Sequence, residues 1–253
     1  MKIVKQMRKF VQNLFLGLLF VPVLLNAQQA ELKVLFVGNS YTYGYNLAHI
    51  VSIMSEETST KLITRKSVIG GAHLWEHWSG NRELETKKII AEGAFDIVVL
   101  QDYSMSGINA PDSTLKYVKL FSDYNSLYGA KTYLFNTWAR EKVPQFQAEI
   151  DEMYIMAAED SGATRVPVGQ AWQLAMDLRP TVDLYTNDGS HPNELGCLLT
   201  ASVFVRVLSG DLPEKLPTLY RIEDAEGETV RLMNHNPEDA EFCRRITNEI
   251  LGD

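Results

Sequence analysis

The stretch Leu32-Lys33-Val34-Leu35-Phe36-Val37-Gly38-Asn39-Ser40-Tyr41-Thr42 decides how this chain is read. Its first six residues form an almost unbroken apolar run bounded by a glycine, the signature of a strand buried on both faces. That strand empties into a loop carrying a serine, and in open parallel sheets the carboxyl ends of strands are where ligands bind. Far along the chain, Asp188-Gly189-Ser190-His191-Pro192-Asn193 adds an aspartate and a histidine three residues apart. Serine is a weak nucleophile until a base takes its proton and a third group orients that base. Ser40, His191 and Asp188 supply those three parts, and such trios are defined by geometry rather than by chain order.

Outward from this stretch, apolar runs alternate with longer amphipathic segments, the pattern of a parallel sheet covered by helices on both faces. Further strands are predicted over 62–69, 96–100, 131–135 and 164–166. Helices are predicted over 47–57, 82–92, 114–128, 144–160, 169–178 and 192–208. Asp96-Ile97-Val98-Val99-Leu100 is the clearest core strand, because its β-branched run suits burial on both faces. The mixed stretch 216–233, with a turn at Glu226-Gly227, reads as a hairpin or an irregular excursion. Asn236-Pro237-Glu238 then has the cap, first-turn proline and acid that open a helix, here running to 251. Without a repeat or linker, 28–253 reads as one α/β domain, with 212–253 a C-terminal extension packed on it.

Residues 1–27 are read as a signal peptide. Lys2, Lys5, Arg8 and Lys9 precede an uncharged apolar stretch from Phe10 to Leu25, and Ala27 offers a small residue for cleavage. Ala30 is a second candidate exit, and retention of the stretch as an N-terminal membrane anchor is the alternative. The expected location is therefore outside the cytoplasm, periplasmic or secreted. The chain has 24 basic and 32 acidic residues, so removing those four basic residues takes the formal charge from −8 to −12. Such a surface repels nucleic acid and anionic lipid, and no stable membrane association is expected after cleavage. The two cysteines, Cys197 and Cys243, are read equally as a disulfide permitted by export or as two small buried apolar residues.

At this point a resemblance becomes specific. Gly38-Asn39-Ser40-Tyr41-Thr42 resembles the first block of the SGNH hydrolases, the GDSL esterase/lipase superfamily, and Asp188-x-x-His191 resembles its last block. Asn39 stands where that family usually has aspartate. The resemblance implies a flavodoxin-like three-layer α/β/α sandwich with a mostly parallel five-stranded sheet. It also implies ester hydrolysis with an oxyanion hole built from intervening glycine and asparagine blocks. Val68-Ile69-Gly70-Gly71-Ala72 matches the glycine block, so the backbone donor role passes to Gly71, with Gly70 the alternative. The asparagine block departs: Gln101-Asp102-Tyr103-Ser104 follows the core strand where Gly-x-Asn-Asp is usual. Gln101 carries the same amide on a longer stem and is the first choice for the third donor, with Asn136 the second.

The expected activity is a serine esterase removing a small acyl group, with acetyl the leading candidate. Tyr41, Trp75, Tyr103 and Trp138 fall near the predicted mouth, together with Tyr43, Tyr45 and Trp78. Aromatic faces can stack on sugars, which suggests a glycan or small-molecule ester as substrate. A lipase or thioesterase, or a non-catalytic carbohydrate-binding protein on the same scaffold, are the alternatives. His73 and His77 are four apart, but Leu74 stands where a zincin needs glutamate, so they are read as solvent-facing or cleft-lining, without metal. Phosphate-loop and dinucleotide fingerprints are missing from the sequence, and no cofactor is expected.

Overall fold

A computed structural model describes residues 29–252. The signal peptide and its Ala27 exit lie outside the described residues. Strand β1 (Ala30–Gly38) runs into the short helix α1 (Ser40–Tyr43), followed by α2 (Leu47–Met54) and β2 (Thr60–Val68). Next come α3 (Leu74–Ser79), α4 (Thr86–Gly93), β3 (Ile97–Leu100), α5 (Ser106–Asn109) and α6 (Pro111–Leu127). Strand β4 (Lys131–Phe135), α7 (Gln147–Ser161), β5 (Thr164–Val166), α8 (Val168–Leu178) and α9 (Glu194–Ser209) complete the main body. The hairpin β6 (Leu219–Glu223) and β7 (Thr229–Asn234) and the helix α10 (Pro237–Leu251) end the described chain.

Strands β1 to β5 form one parallel sheet in the order β2-β1-β3-β4-β5. The three-layer α/β/α sandwich expected from the sequence is thus the architecture observed. Period-two alternation of side chains sorts the central strands between two cores. Val34, Phe36, Ile97, Val99 and Phe135 face α2, α8, α9 and α10. Leu35, Val37, Val98, Leu100 and Leu134 face α3, α4, α6 and α7. Helix α9 is apolar nearly all round and correspondingly buried along most of its length. Its Phe204 meets Phe36 and Phe135 edge-on at 5.2 and 4.8 Å between centroids.

The C-terminal segment adds to the first core: Tyr220 and Met233 of the hairpin and Phe242, Cys243 and Ile246 of α10 are all buried in it. Helix α10 starts as the sequence indicates, with Asn236 accepting from the Asp239 N–H at 2.7 Å and Pro237 in the first turn. Cys197 and Cys243 are separate buried thiols, which decides for the packing reading over the disulfide. The predicted helix 82–92 begins only at Thr86, and α3 and α5 are short helices without a counterpart in the sequence reading.

His77 is a correction to that reading, because it is fully buried. Its Nε2 lies 3.0 Å from the Gly38 carbonyl and its Nδ1 2.7 Å from Thr86 Oγ1. A carbonyl can only accept, so Nε2 carries the hydrogen and Nδ1 accepts from Thr86. Among the described residues, no group of three or more His, Cys, Asp or Glu is placed to hold a metal ion. Burial pushes the His77 imidazole down from 6.5 to about 4. An unfolded chain takes up this proton near pH 6.5, the folded chain only near pH 4, so stability falls as pH drops through that window. The expected loss attributable to His77 is roughly 3 kcal/mol between pH 7 and pH 4. Urea unfolding of wild type and His77→Gln across this range checks it: the variant should show a shallower pH slope, and identical slopes would contradict the assignment.

Candidate active site

Ser40 is the first residue of α1, directly beyond β1, and Asn39 caps that turn by accepting from the Tyr41 N–H at 3.1 Å. The motif needs its glycine. A Cβ on Gly38 would lie 2.4 Å from Thr42 Oγ1 and 2.5 Å from Gln101 Oε1. The chain meets the histidine loop across the sheet's carboxyl edge, where Ser40 Oγ is 2.8 Å from His191 Nε2. His191 Nδ1 is 2.5 Å from Asp188 Oδ2. Asp188 Oδ1 accepts from Thr186 Oγ1 and from the N–H groups of Ser190 and His191, at 2.8–2.9 Å. Burial acts to raise the Asp188 pKa, but these four donors outweigh it and hold the carboxyl well below the usual range. An ionised Asp188 accepts from Nδ1–H, which leaves the Nε2 lone pair facing the Ser40 hydroxyl.

The histidine loop is braced from several sides. Thr186 N donates to the His191 carbonyl at 2.8 Å, Glu141 N to the Gly189 carbonyl at 2.9 Å, and Asn193 N to Leu184 at 2.9 Å. Gly189 has φ +65°, and a Cβ there would also meet Glu141 Oε2 at 2.8 Å. Asn193 caps α9 by accepting from the Gly196 N–H at 3.0 Å, so the loop ends in a helix anchored in the core.

Gly71 also borders the cavity beside Ser40 and adopts φ +67°, a left-handed conformation suited to glycine. The carbonyl of Gly70 accepts from Arg82 Nη1 at 3.1 Å. Because the peptide is planar and trans, that grip turns the Gly71 N–H the opposite way. Arg82 is itself held by Glu76, with Nε to Oε1 at 2.9 Å. The Asn39 amide donates to the Ala72 carbonyl at 2.9 Å and so clamps the glycine turn to the serine turn. Aspartate at position 39 has no hydrogen to donate there.

Two predicted donors are elsewhere. Gln101 is fully buried beneath the serine turn, where its Oε1 accepts from Asn39 N at 2.9 Å and from Thr42 Oγ1 at 2.8 Å. Its Nε2 donates to the Asp102 carbonyl, so the amide faces the loop's underside and not the cavity. Asn136 is equally buried: Nδ2 donates to Thr137 O at 3.2 Å and Asp151 Oδ1 at 2.9 Å, while Oδ1 accepts from Arg165 at 2.8 Å. Neither side chain is free to reach an oxyanion.

The aromatic expectations divide. Tyr41 and Tyr103 border the cavity. Trp138 is buried, stacked between Tyr41 at 4.7 Å and Trp172 at 3.8 Å, and its Nε1 donates to the Ser190 carbonyl at 2.9 Å. It supports the histidine loop from behind and has no face for substrate. Trp75 is exposed on the rim, in a row with His73 at 6.5 Å that continues to Tyr103 at 4.8 Å. Tyr43 and Tyr45 are exposed as well, whereas Trp78 turns inward onto Phe121. Sequence reading missed Arg140 and Ser104, which border the same cavity. Ser104 stands in the quoted Gln101 block, and Arg140 lies in the loop after β4, at a strand end where ligand groups gather.

The three-layer fold sets a serine at the tip of β1 against a histidine from the last α/β connection, the arrangement of a nucleophilic hydrolase acting on ester bonds. No family model matches the chain, and no curated protein does. Among solved structures, an SGNH hydrolase from Slackia heliotrinireducens is 25% identical at a TM-score of 0.60, covering 70% of this chain and 98% of its own. A DUF4886 family protein from Bacteroides uniformis is 20% identical at a TM-score of 0.70, covering 88% and 95%. An acetyl xylan esterase is 17% identical at 0.53, covering 70% and 99%. The chain has the fold of the SGNH/GDSL hydrolases, and the first of these likenesses supports that superfamily for it.

The buried Gln101 amide makes a clear prediction. Gln101→Ala leaves the Asn39 N–H and the Thr42 hydroxyl without their acceptor, and is expected to cost about 2–4 kcal/mol of stability. Denaturant unfolding measures it, and an unchanged midpoint would mean that the amide braces nothing.

Proposed function

We propose that the protein is an exported serine esterase that releases a small acyl group, acetyl foremost, from a carbohydrate-borne ester. Ser40 attacks the ester carbonyl as His191 Nε2 takes its proton, and Asp188 orients the ring and balances the imidazolium. The N–H groups of Ser40 and Gly71 receive the oxyanion. His191 then returns the proton to the leaving alcohol, and water repeats the sequence on the acyl-enzyme. The observation that carries this reading is the 2.8 Å approach of Ser40 Oγ to an imidazole whose other nitrogen is held by an ionised carboxylate.

A short acyl group is supported by the small volume of the cavity, about 200 Å³, which is bordered by two tyrosine rings, serine hydroxyls, an amide, a guanidinium, an imidazole and a glycine. No aliphatic side chain borders it. Each methylene of a long acyl chain gains about 0.8 kcal/mol only where it is buried, and a cavity of this volume buries few of them, which favours acetyl over fatty acyl groups. The row of exposed Trp75 and half-buried His73 and Tyr103 supports a sugar ring on the alcohol side. The Gln29 amide, 2.7 Å from the Thr58 carbonyl, supports cleavage after Ala27 over Ala30, because the later cut would remove this contact.

Purified protein lacking residues 1–27 is expected to hydrolyse p-nitrophenyl acetate at least tenfold faster than the octanoate, and Ser40→Ala should reduce release to the uncatalysed rate. Equal release by variant and wild type would remove the enzyme reading. Arg82→Met should lower kcat with little change in KM, by less than the ~100-fold that loss of a whole oxyanion donor brings. An unaltered kcat would mean that the Gly70 carbonyl needs no fixing.

A further inference from the structure

Arg140 lies in the loop between β4 and α7 and borders the cavity beside Ser40. Its surroundings are unusual for a guanidinium. Nη2 donates to Ser104 Oγ at 2.9 Å and to the Tyr103 hydroxyl at 3.1 Å, and its plane lies 5.7 Å from the Tyr103 ring centre. The Tyr41 hydroxyl also faces it. All of these are neutral oxygens, and burial raises the pKa of Tyr41 and keeps it a phenol. Nε is buried without a hydrogen-bond partner. Among the described residues no carboxylate lies within ion-pair distance of Arg140, and none borders the cavity.

A guanidinium carries five donors and cannot discharge itself by losing a proton. Held half-buried beside the cavity with no counter-charge among the described residues, it offers its positive charge to an anion that enters there. The chain has an excess of acidic residues, so a partner carboxylate would have been readily available. Both Nη2 hydrogens are engaged, so a ligand meets the Nη1 end, and the complement of that cationic donor is a carboxylate, through a charge-assisted hydrogen bond.

We propose that Arg140 is the specificity-determining residue of this site and binds a carboxylate carried by the substrate, making the preferred substrates esters that bear an acid, such as an acylated uronic acid. This rests on the esterase reading and narrows it. The hydroxyls of Tyr103 and Ser104 hold Nη2, leaving Nη1 for the ligand. The carboxylate sits on either the alcohol or the acyl part of the ester, and both place it within a small cavity's reach of Ser40.

Two measurements separate this proposal from the esterase reading. In the first, kcat/KM is compared for the acetyl ester of methyl glucuronoside and that of methyl glucoside, and for p-nitrophenyl hydrogen succinate and p-nitrophenyl acetate. Wild type is expected to favour the acidic member of at least one pair by tenfold or more, the favoured pair locating the carboxylate on the alcohol or acyl side. Arg140→Gln should collapse that ratio, mainly through KM, and Arg140→Lys should restore part of it. A wild type indifferent to both pairs, or an Arg140→Gln variant that slows acidic and neutral esters equally, overturns the proposal while leaving the esterase intact. In the second, methyl glucuronoside and succinate are titrated calorimetrically into wild type and both variants, each first shown by its melting curve to be folded. Binding of either one weakened tenfold or more in Arg140→Gln supports the carboxylate site even if no ester is turned over. Absence of Arg140-dependent binding of both overturns it.

Discussion

One amide oxygen underlies the arrangement of this site. Gln101 Oε1 accepts both the Asn39 N–H and the Thr42 hydroxyl, the two donors that flank Ser40 and Tyr41. It can come that close only because Gly38 has no Cβ, and the Gly38 carbonyl is pinned in turn by His77 Nε2. The turn carrying the nucleophile is therefore held from beneath by the strand-end residue of β3 and from the side by α3. A serine placed on such a turn keeps its direction without any substrate present, which is what preorganised chemistry requires. The next residue extends the same tie. Asp102 accepts from Leu74 N at 3.0 Å, Tyr103 N at 2.7 Å and Thr114 Oγ1 at 2.7 Å, joining the glycine turn, the β3 loop and α6.

What the sequence discloses and what it hides divide along the range of the forces involved. The central strands were legible because burial on both faces imposes continuous apolar runs, as in Val34 to Val37 and Ile97 to Leu100. Asp188 and His191 were legible because their pairing is local, three residues apart on one turn. The direction of a buried amide is not local. Gln101 and Asn136 both stand at strand ends facing the mouth in sequence terms. Partners distant in the chain, Asn39 and Thr42 for one and Asp151 and Arg165 for the other, turn them away. Trp138 was misplaced for a similar reason: only the fold brings Trp172 and Tyr41 onto its two faces. The short helix α3 depends on Asp102 and Glu76 as caps, so its start is decided by residues that periodicity cannot weigh.

These ties also explain why an asparagine suits position 39. Its Oδ1 is occupied by the Tyr41 N–H and its Nδ2 reaches the Ala72 carbonyl, so the residue must present an acceptor and a donor at once. A carboxylate would satisfy the first and face the second with like charge. The departure from the usual Gly-Asp-Ser wording and the departure in the asparagine block then become one feature. An amide at 39 and an amide at 101 each bond to the other's loop, and both belong to the frame that joins the serine turn to the glycine turn.

The electrostatics of the cavity follow from the same separation of frame and mouth. Asp188 is half-exposed and ionised, but its charge is absorbed by four donors on its own loop, and it does not border the cavity. Asp102, close by in the chain, spends its oxygens on two backbone N–H groups and a threonine. With the carboxylates turned into structure, Arg140 is left as the permanent charge at the mouth of an otherwise acidic molecule. Such a half-buried charge is screened less than the surface acids, which act through water and salt. On the proposed reading the surface acids slow the approach of a negatively charged ligand while Arg140 attracts it beside Ser40, an arrangement that favours selectivity over capture rate.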